Sequence, residues 1–297
     1  MSDARSEMQL DEALAVGGMW DILIAYFAKP FIKASMIVLM ANSFVGRIDF
    51  KHIGIVILLL VLYFFSEGGR SVMLEIFFSF IYLLILYRKE ISKRRMKAVK
   101  IAIVISSALP LLATMERGSD TLKSIYTYYC GSLTYLTSMF NSYATLFDDY
   151  LNGWASFQGI VKPIYGILEQ IGIPKPDALI ESNAFIMSAQ STVVDIAPST
   201  PMNYFMTCFG YAYKDGGVIG VMLILFVYGI LCSFVDKKEF YNRNNVRWVS
   251  IKTYFFCSVL FTMSYFPFAK YLNAMTIVYM LVITSGWFSK HTKLNLQ

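Results

Sequence analysis

Three short charged segments of this sequence lie where apolar runs end, and each could bind an anion. Residues 67–71 place Gly68, Gly69 and Arg70 between two apolar runs. The glycines permit a tight turn and a close approach of the backbone to a ligand, and arginine is a permanently charged donor that suits phosphate oxygens. An ordinary helical hairpin, in which Arg70 reaches water or pairs with a nearby glutamate, is the alternative.

The other two segments flank the longest polar stretch of the chain. One contains Arg117 and Asp120 just after an apolar run, and the other contains Lys214 and Asp215 just before the next run. Each places a cation and a carboxylate at a predicted membrane boundary. Helix capping by Asp120 and an interfacial aromatic belt around an ordinary lysine–aspartate pair are the structural alternatives.

The stretch between these two segments is rich in tyrosine. A tyrosine ring offers an apolar face and a polar tip, so it could stack on a sugar ring, although interfacial anchoring also explains many such residues. The candidates for substrate binding are Tyr128, Tyr129 and Tyr135.

Other kinds of site find little support. The chain has two histidines, His52 and His291, and no closely spaced pair among its four cysteines, so neither a zinc site nor a redox motif is expected. Nucleotide-binding, hydrolase and metalloprotease motifs do not occur. We therefore expect no cofactor and no metal ion. A disulfide between Cys130 and Cys208, both in the polar stretch, is left open.

The composition indicates an integral membrane protein. Of the 297 residues, 57% are hydrophobic and 15% are charged, and the mean hydropathy is +0.54, whereas soluble domains carry about 25% charged residues. We expect an all-α polytopic protein that forms a single integral membrane domain over residues 1–297, with six or seven transmembrane helices. The candidate spans, of which the first is weakened by a proline, are residues 21–45, 51–66, 71–88, 98–115, 216–235, 248–267 and 270–289.

Lysine and arginine indicate the orientation of these spans. Seven of them lie on one predicted side of the membrane, and sixteen lie on the other side, in the segments 46–52, 88–100, 236–252 and 290–297. Because cytoplasmic loops carry the excess of basic residues, those four segments are predicted to be cytoplasmic. Residues 116–215 then form one large external, or periplasmic, loop. Nucleic acid is not an expected partner, since the basic residues cluster between apolar runs.

This arrangement resembles the Wzy-type oligosaccharide repeat unit polymerases, which make bacterial O-antigen and capsular polysaccharide. The resemblance covers about residues 50–290. Members of that family are usually longer on the N-terminal side, so an N-terminally truncated protein is an expectation. The features that carry the resemblance are the hairpin at 66–71, the basic segment 88–100, the stretch 117–133 and the segment 209–221 after the large loop.

The resemblance implies a GT-C-like, multi-pass glycosyltransferase of the bacterial inner membrane. It would transfer a growing glycan from undecaprenyl diphosphate onto the next lipid-linked repeat unit at the external face. Its partners would be that lipid-linked glycan, the bilayer, a flippase and a chain-length regulator. Arg70, Arg117 and Lys214 would stabilise the leaving diphosphate, and Asp120 or Asp215 would deprotonate the attacking hydroxyl.

Three other functions stay open. An O-antigen ligase uses the same lipid-linked glycans, but it usually has an external histidine, and His52 and His291 are both predicted to be cytoplasmic. A flippase or exporter would not need one dominant external loop. An inactive truncated fragment would leave Arg70 and Arg117 freely replaceable.

Overall fold

The computed structural model describes residues 19–45, 50–67, 70–88, 121–197, 200–202 and 206–285, with residues 96–97, 99–101, 103–104 and 106–108 between them. Helices dominate this part of the chain, which confirms the predicted all-α class. The chain divides into two compact units. The first unit comprises residues 1–30, 126–228 and 261–275, and the second comprises residues 31–125, 229–260 and 276–297. The single membrane domain expected from the sequence stays a prediction.

The long apolar runs form helices, as their composition predicts. In chain order these are α1 (Met19–Leu23), α2 (Lys29–Val45), α3 (Phe50–Glu67), α4 (Arg70–Tyr87), α5 (Thr121–Ser142), α6 (Trp154–Gln170), α7 (Asp177–Ser191), α8 (Cys208–Tyr241), α9 (Val246–Leu260) and α10 (Tyr271–Thr284). A π-helical turn, Ile24–Ala28, joins α1 to α2, and two 3₁₀ turns are Ala144–Phe147 and Pro267–Ala269.

Two helical stretches among the described residues are long and apolar enough to cross a membrane by length and composition, Ile24–Val45 and Cys208–Tyr241. Four further apolar helices have only 10–17 residues. Within the part of the chain that the structure describes, full-length candidate spans are therefore fewer than the six or seven expected. One reason is visible at α9, which ends at Leu260 although the apolar run continues. The helix does not resume directly, because the backbone of Phe266 is extended before Pro267.

The second unit brings together the helix ends that adjoin the four basic segments. The ring of Phe44, at the end of α2, lies 6.3 Å from that of Tyr87, at the end of α4. The Tyr87 hydroxyl donates a 2.7 Å hydrogen bond to the carbonyl of Arg243, after α8. Arg247, at the start of α9, donates through Nε to Thr284 Oγ1, at the end of α10, over 3.3 Å. Side-chain contacts thus link these ends in pairs.

The first unit contains most of the predicted external loop, and this loop is folded. Apolar residues in 121–151 have a spacing compatible with amphipathic helices, and α5 with the turn Ala144–Phe147 occupies that range. The sequence did not indicate the antiparallel hairpin of β1 (Val194–Ala197) and β2 (Thr200–Met202), in which Val194 pairs with Met202. Cys130 is exposed, Cys208 is buried, and both are free thiols, so no disulfide links them.

Helix α8 is broken near its start by two glycines. Gly217 has a φ of +59°, in the left-handed region that favours glycine. A Cβ atom at this position would also lie 2.8 Å from the Tyr150 hydroxyl oxygen. The break separates the segment that carries Lys214 and Asp215 from the apolar segment that begins at Val218.

Candidate functional site

The structure describes the predicted site residues to different extents. Gly68, Gly69, Arg117 and Asp120 lie outside the described residues. For three others the structure describes only the helical backbone. These are Arg70, at the start of α4, and Tyr128 and Tyr129, in α5. The side chains of Tyr135, Lys214 and Asp215 are all described, and all three belong to the first unit.

Asp215 caps α6 from the far end of the loop. One carboxylate oxygen accepts a 2.8 Å hydrogen bond from the backbone N–H of Ala155, and the other accepts a 2.7 Å bond from that of Ser156. These N–H groups belong to the first turn of α6, where no intrahelical acceptor is available and negative charge is favoured. Both oxygens are thus committed to holding the start of a helix.

This geometry changes the role expected for Asp215. The side chain is buried, and burial raises the pKa of its carboxyl group, while the hydrogen bonds from Ser156 and Ala155 act in the opposite direction. Since both oxygens are occupied and little of the group is accessible, the carboxylate is badly placed to accept a proton from a substrate hydroxyl. We therefore regard Asp215 as a positioning residue and no longer as a candidate base.

Backbone hydrogen bonds hold the Lys214–Asp215 segment against the loop that precedes α6. The N–H of Leu151 donates to the carbonyl of Lys214 over 3.0 Å, and the N–H of Asn152 donates to the carbonyl of Asp215 over 2.9 Å. Asn152 has a positive φ of 51°, and Gly153 follows with 98°. The position of Lys214 is thus set by main-chain contacts on both sides of the segment.

Lys214 is a buried cation with no carboxylate beside it among the described residues. Its exposed fraction is 7%, and its ammonium group lies 5.4 Å from the centre of the Phe185 ring. No described carboxylate oxygen lies within 4 Å of it, although Asp149 and Glu181 act on it at longer range. Burial lowers the pKa of Lys214, and these acidic groups oppose that shift. Asp148 and Asp215 act on Lys214 in the same direction, so the cation has acidic groups around it at longer range.

Tyr135 has a structural role in this site. Its exposed fraction is 0%, and its hydroxyl donates to the carbonyl oxygens of Ala189 at 2.6 Å and Thr192 at 3.1 Å. The side chain therefore ties α5 to the end of α7, and no ring face is available for a sugar. We remove Tyr135 from the binding residues expected from the sequence.

Comparison with known proteins adds no family to this description. No protein-family model, curated protein or solved structure matches the chain. Within the described residues no group of three or more histidine, cysteine, aspartate or glutamate side chains could hold a metal ion. The geometry of the site therefore carries the functional argument.

Sequence reasoning missed two features of the structure. One is a concave surface beside the Asp215 cap, lined by Asn152, Gly153, Trp154, Phe157 and Val161. The other lies in the second unit, where Lys33 and Glu75 form a buried ion pair with 2.5 Å between Nζ and Oε2. A signal for half of the pair was present, because an acidic residue within an apolar helix needs a partner, but nothing in the sequence indicated that the partner of Glu75 is Lys33.

Proposed function

We propose that this protein is a membrane-bound glycosyltransferase that polymerises lipid-diphosphate-linked oligosaccharide repeat units at the external face of a bacterial inner membrane. The product would be an O-antigen or capsular polysaccharide. The observation that carries the proposal is Lys214, a buried cation with no described carboxylate oxygen within 4 Å of its ammonium group, placed just before the apolar segment of α8. The sequence resemblance to Wzy-type polymerases supplies the substrate class.

Lys214 suits the charge that such a reaction develops. When the hydroxyl of an acceptor sugar attacks the anomeric carbon, the glycosidic bond to phosphate breaks and the lipid diphosphate leaves with added negative charge. A preorganised cation stabilises that charge most strongly where water is largely excluded. Lys214 meets this condition, because its side chain is buried and its neighbour is an aromatic ring.

The remaining roles rest on the resemblance. In the proposed mechanism Arg70 and Arg117 join Lys214 in binding the diphosphate, with Gly68 and Gly69 allowing the close approach of the backbone. Asp120 accepts the proton of the attacking hydroxyl. Tyr128 and Tyr129 stack on sugar rings of the repeat unit.

The second unit supports the proposed orientation. A multi-pass protein with four basic cytoplasmic segments requires the adjoining helix ends to lie at one membrane face. The pairwise contacts of Tyr87 with Phe44 and Arg243, and of Arg247 with Thr284, agree with that requirement. The shorter apolar helices would then cross the bilayer together with Ile24–Val45 and the part of α8 that begins at Val218, where local thinning can accommodate their length.

Complementation of a deletion strain tests the proposal. The gene is deleted in its host and restored as wild type, Arg70→Ala, Arg117→Ala or Lys214→Ala, and surface-glycan length is read from a gel. Lys175→Ala is the matched control, because this lysine lies in the same loop but forms a surface ion pair with Glu169 at 2.6 Å. Membrane levels of each variant are measured by immunoblot.

The three outcomes are distinct. Collapse of the polymer ladder to a single repeat unit, rescued by wild type and Lys175→Ala but by none of the other three variants, supports polymerisation and the anion-binding roles. An unchanged ladder in the deletion strain rules out the proposed function. Loss of all surface glycan, including the single repeat, indicates ligation or export instead.

A further inference from the structure

Helix α6 has the reverse of the packing expected for a helix of a soluble domain. Its large aliphatic side chains point outward, whereas soluble helices direct such side chains to the core. The outward isoleucines follow the spacing i, i+4, i+7 and i+11 and are 41% to 70% exposed: Ile160, Ile164, Ile167 and Ile171. At this spacing they form one stripe along the helix.

The buried face of α6 consists of small or weakly polar residues. They include Ala155, Gly159, Pro163 and Gly166. A Cβ atom at Gly159 would lie 2.5 Å from the carbonyl oxygen of Phe268, and one at Gly166 would lie 2.8 Å from the ring of Tyr26. The helix therefore packs closely through its small residues and leaves its isoleucines outside.

Helix α6 packs on the same aromatic residues as the candidate membrane span in α8. Phe157 of α6 and Tyr228 of α8 both contact the aromatic pair of Phe266 and Phe268, at ring distances of 5.4 to 6.1 Å. The apolar segment of α8 also exposes its large side chains, among them Val218, Ile219, Met222, Leu223 and Phe226. Helix α6 and this segment of α8 thus share one aromatic core, and both expose aliphatic side chains.

The chemistry of the stripe favours hydrocarbon as the occupant. Helix α6 contains two charged residues, Lys162 and Glu169, so few charges accompany the stripe, whereas the rim of a protein–protein interface is polar. Helix α6 has 17 residues and is about 25 Å long. A helix that exposes one apolar stripe can lie in the plane of the membrane interface, whatever its length.

We propose that α6 is a membrane-interface helix whose isoleucine stripe contacts the acyl chains of the same bilayer that α8 crosses. It would anchor the folded external loop to the lipid surface and keep the Asp215-capped end of the helix close to the lipid headgroups. The proposal depends on the membrane location in the proposed function, but not on the reaction catalysed.

Spin labelling of the reconstituted full-length chain tests this placement. The background is Cys130→Ala with Cys232→Ala, which leaves the two buried cysteines, and nitroxides are attached at Ile164→Cys or Ile171→Cys. Vesicles of phosphatidylcholine and phosphatidylglycerol are used, and collision rates with oxygen and with a water-soluble nickel complex are compared. We expect oxygen preference at both positions, at a depth of about 5–10 Å below the headgroups.

Two reference positions separate the possible failures. Phe226→Cys reports whether α8 lies in the bilayer, and Ala184→Cys reports an exposed position of α7. Nickel preference at 164 and 171, with oxygen preference at 226, overturns the α6 proposal and leaves the membrane location intact. Nickel preference at all four positions contradicts both proposals. Spin–spin coupling between chains at 164 identifies a second copy as the occupant and also overturns the proposal. Circular dichroism checks that each labelled variant is folded.

Discussion

Each of the two units buries a lysine beside an aromatic ring. Among the described residues, only the lysine of the second unit has a carboxylate within 4 Å. In the second unit Lys33 is fully buried, its Nζ lies 2.5 Å from Glu75, and the Tyr254 ring centre is 5.6 Å away. In the first unit Lys214 lies 5.4 Å from the Phe185 ring centre, and no described carboxylate oxygen is within 4 Å. Removing a cation from water costs several kcal/mol unless a partner offsets it. A lysine in an ion pair is therefore suited to structure, and one with no described carboxylate within 4 Å is suited to binding.

Breaking the ion pair between Lys33 and Glu75 has the largest expected effect on stability. Glu75→Ala leaves Lys33 as an uncompensated buried charge, so we expect the free energy of unfolding to fall by about 3–5 kcal/mol. Thermal unfolding in detergent micelles measures the loss. The double variant Lys33→Met with Glu75→Leu removes both charges and should recover most of the stability; an equally unstable double variant would contradict the comparison.

Removing the charge of Lys214 should affect the proposed activity rather than stability. Lys214→Met keeps the length of the side chain but deletes the charge, so we expect the proposed polymerisation to fall by about 10²-fold. The melting temperature should stay equal or rise, since a desolvated charge is lost. Rate measurements with lipid-linked repeat units and a thermal melt on the same preparation check both. A lower melting temperature together with normal activity would assign Lys214 a structural role.

The Asp215 cap should show an intermediate effect on the first unit. Asp215→Ala leaves the N–H groups of Ala155 and Ser156 without acceptors, and we expect a loss of about 2 kcal/mol. Asp215→Asn retains one acceptor oxygen and should lose less. Hydrogen exchange of the first turn of α6 is the direct readout. Unchanged protection in the alanine variant would show that the cap does not hold this helix.

The smallest expected effect is a shift in pH dependence. Burial lowers the pKa of Lys214 below its ordinary value of 10.5, so the charged form that binds an anion is lost as pH rises through that lowered pKa. Activity should therefore decline on the alkaline side below pH 10.5. Lys214→Arg should move this decline to higher pH, because arginine stays protonated. An identical alkaline profile in both proteins would exclude Lys214 as the titrating group.

The helices could be predicted from the sequence, because they follow from local composition. Helix α5 and the apolar part of α8 occupy the ranges that their residue patterns indicate. The ends of helices were less predictable. The stop of α9 at Leu260 depends on a turn and an extended residue before Pro267 rather than on any loss of apolar residues.

The roles of individual charges could not be read from sequence, since they depend on contacts between distant positions. Asp215 and the N–H groups that it caps are separated by about sixty residues. Lys33 interrupts an apolar run of the sequence, and only the structure shows that it is the partner of Glu75. Tyr135 matched the composition of a sugar-binding surface, but its burial gives it a packing role.

The glycine break in α8 has a consequence for how this protein can change over evolution. In an unbroken α-helix each residue is rotated by about 100° relative to the one before it. The direction of a lysine near the start would then determine the direction of every later side chain. At Gly216 and Gly217 the backbone leaves helical geometry, and the two parts of α8 need not keep a common phase. The part that begins at Val218 can exchange its outward side chains, or rotate to suit a different bilayer, while the direction of the Lys214 ammonium group is preserved.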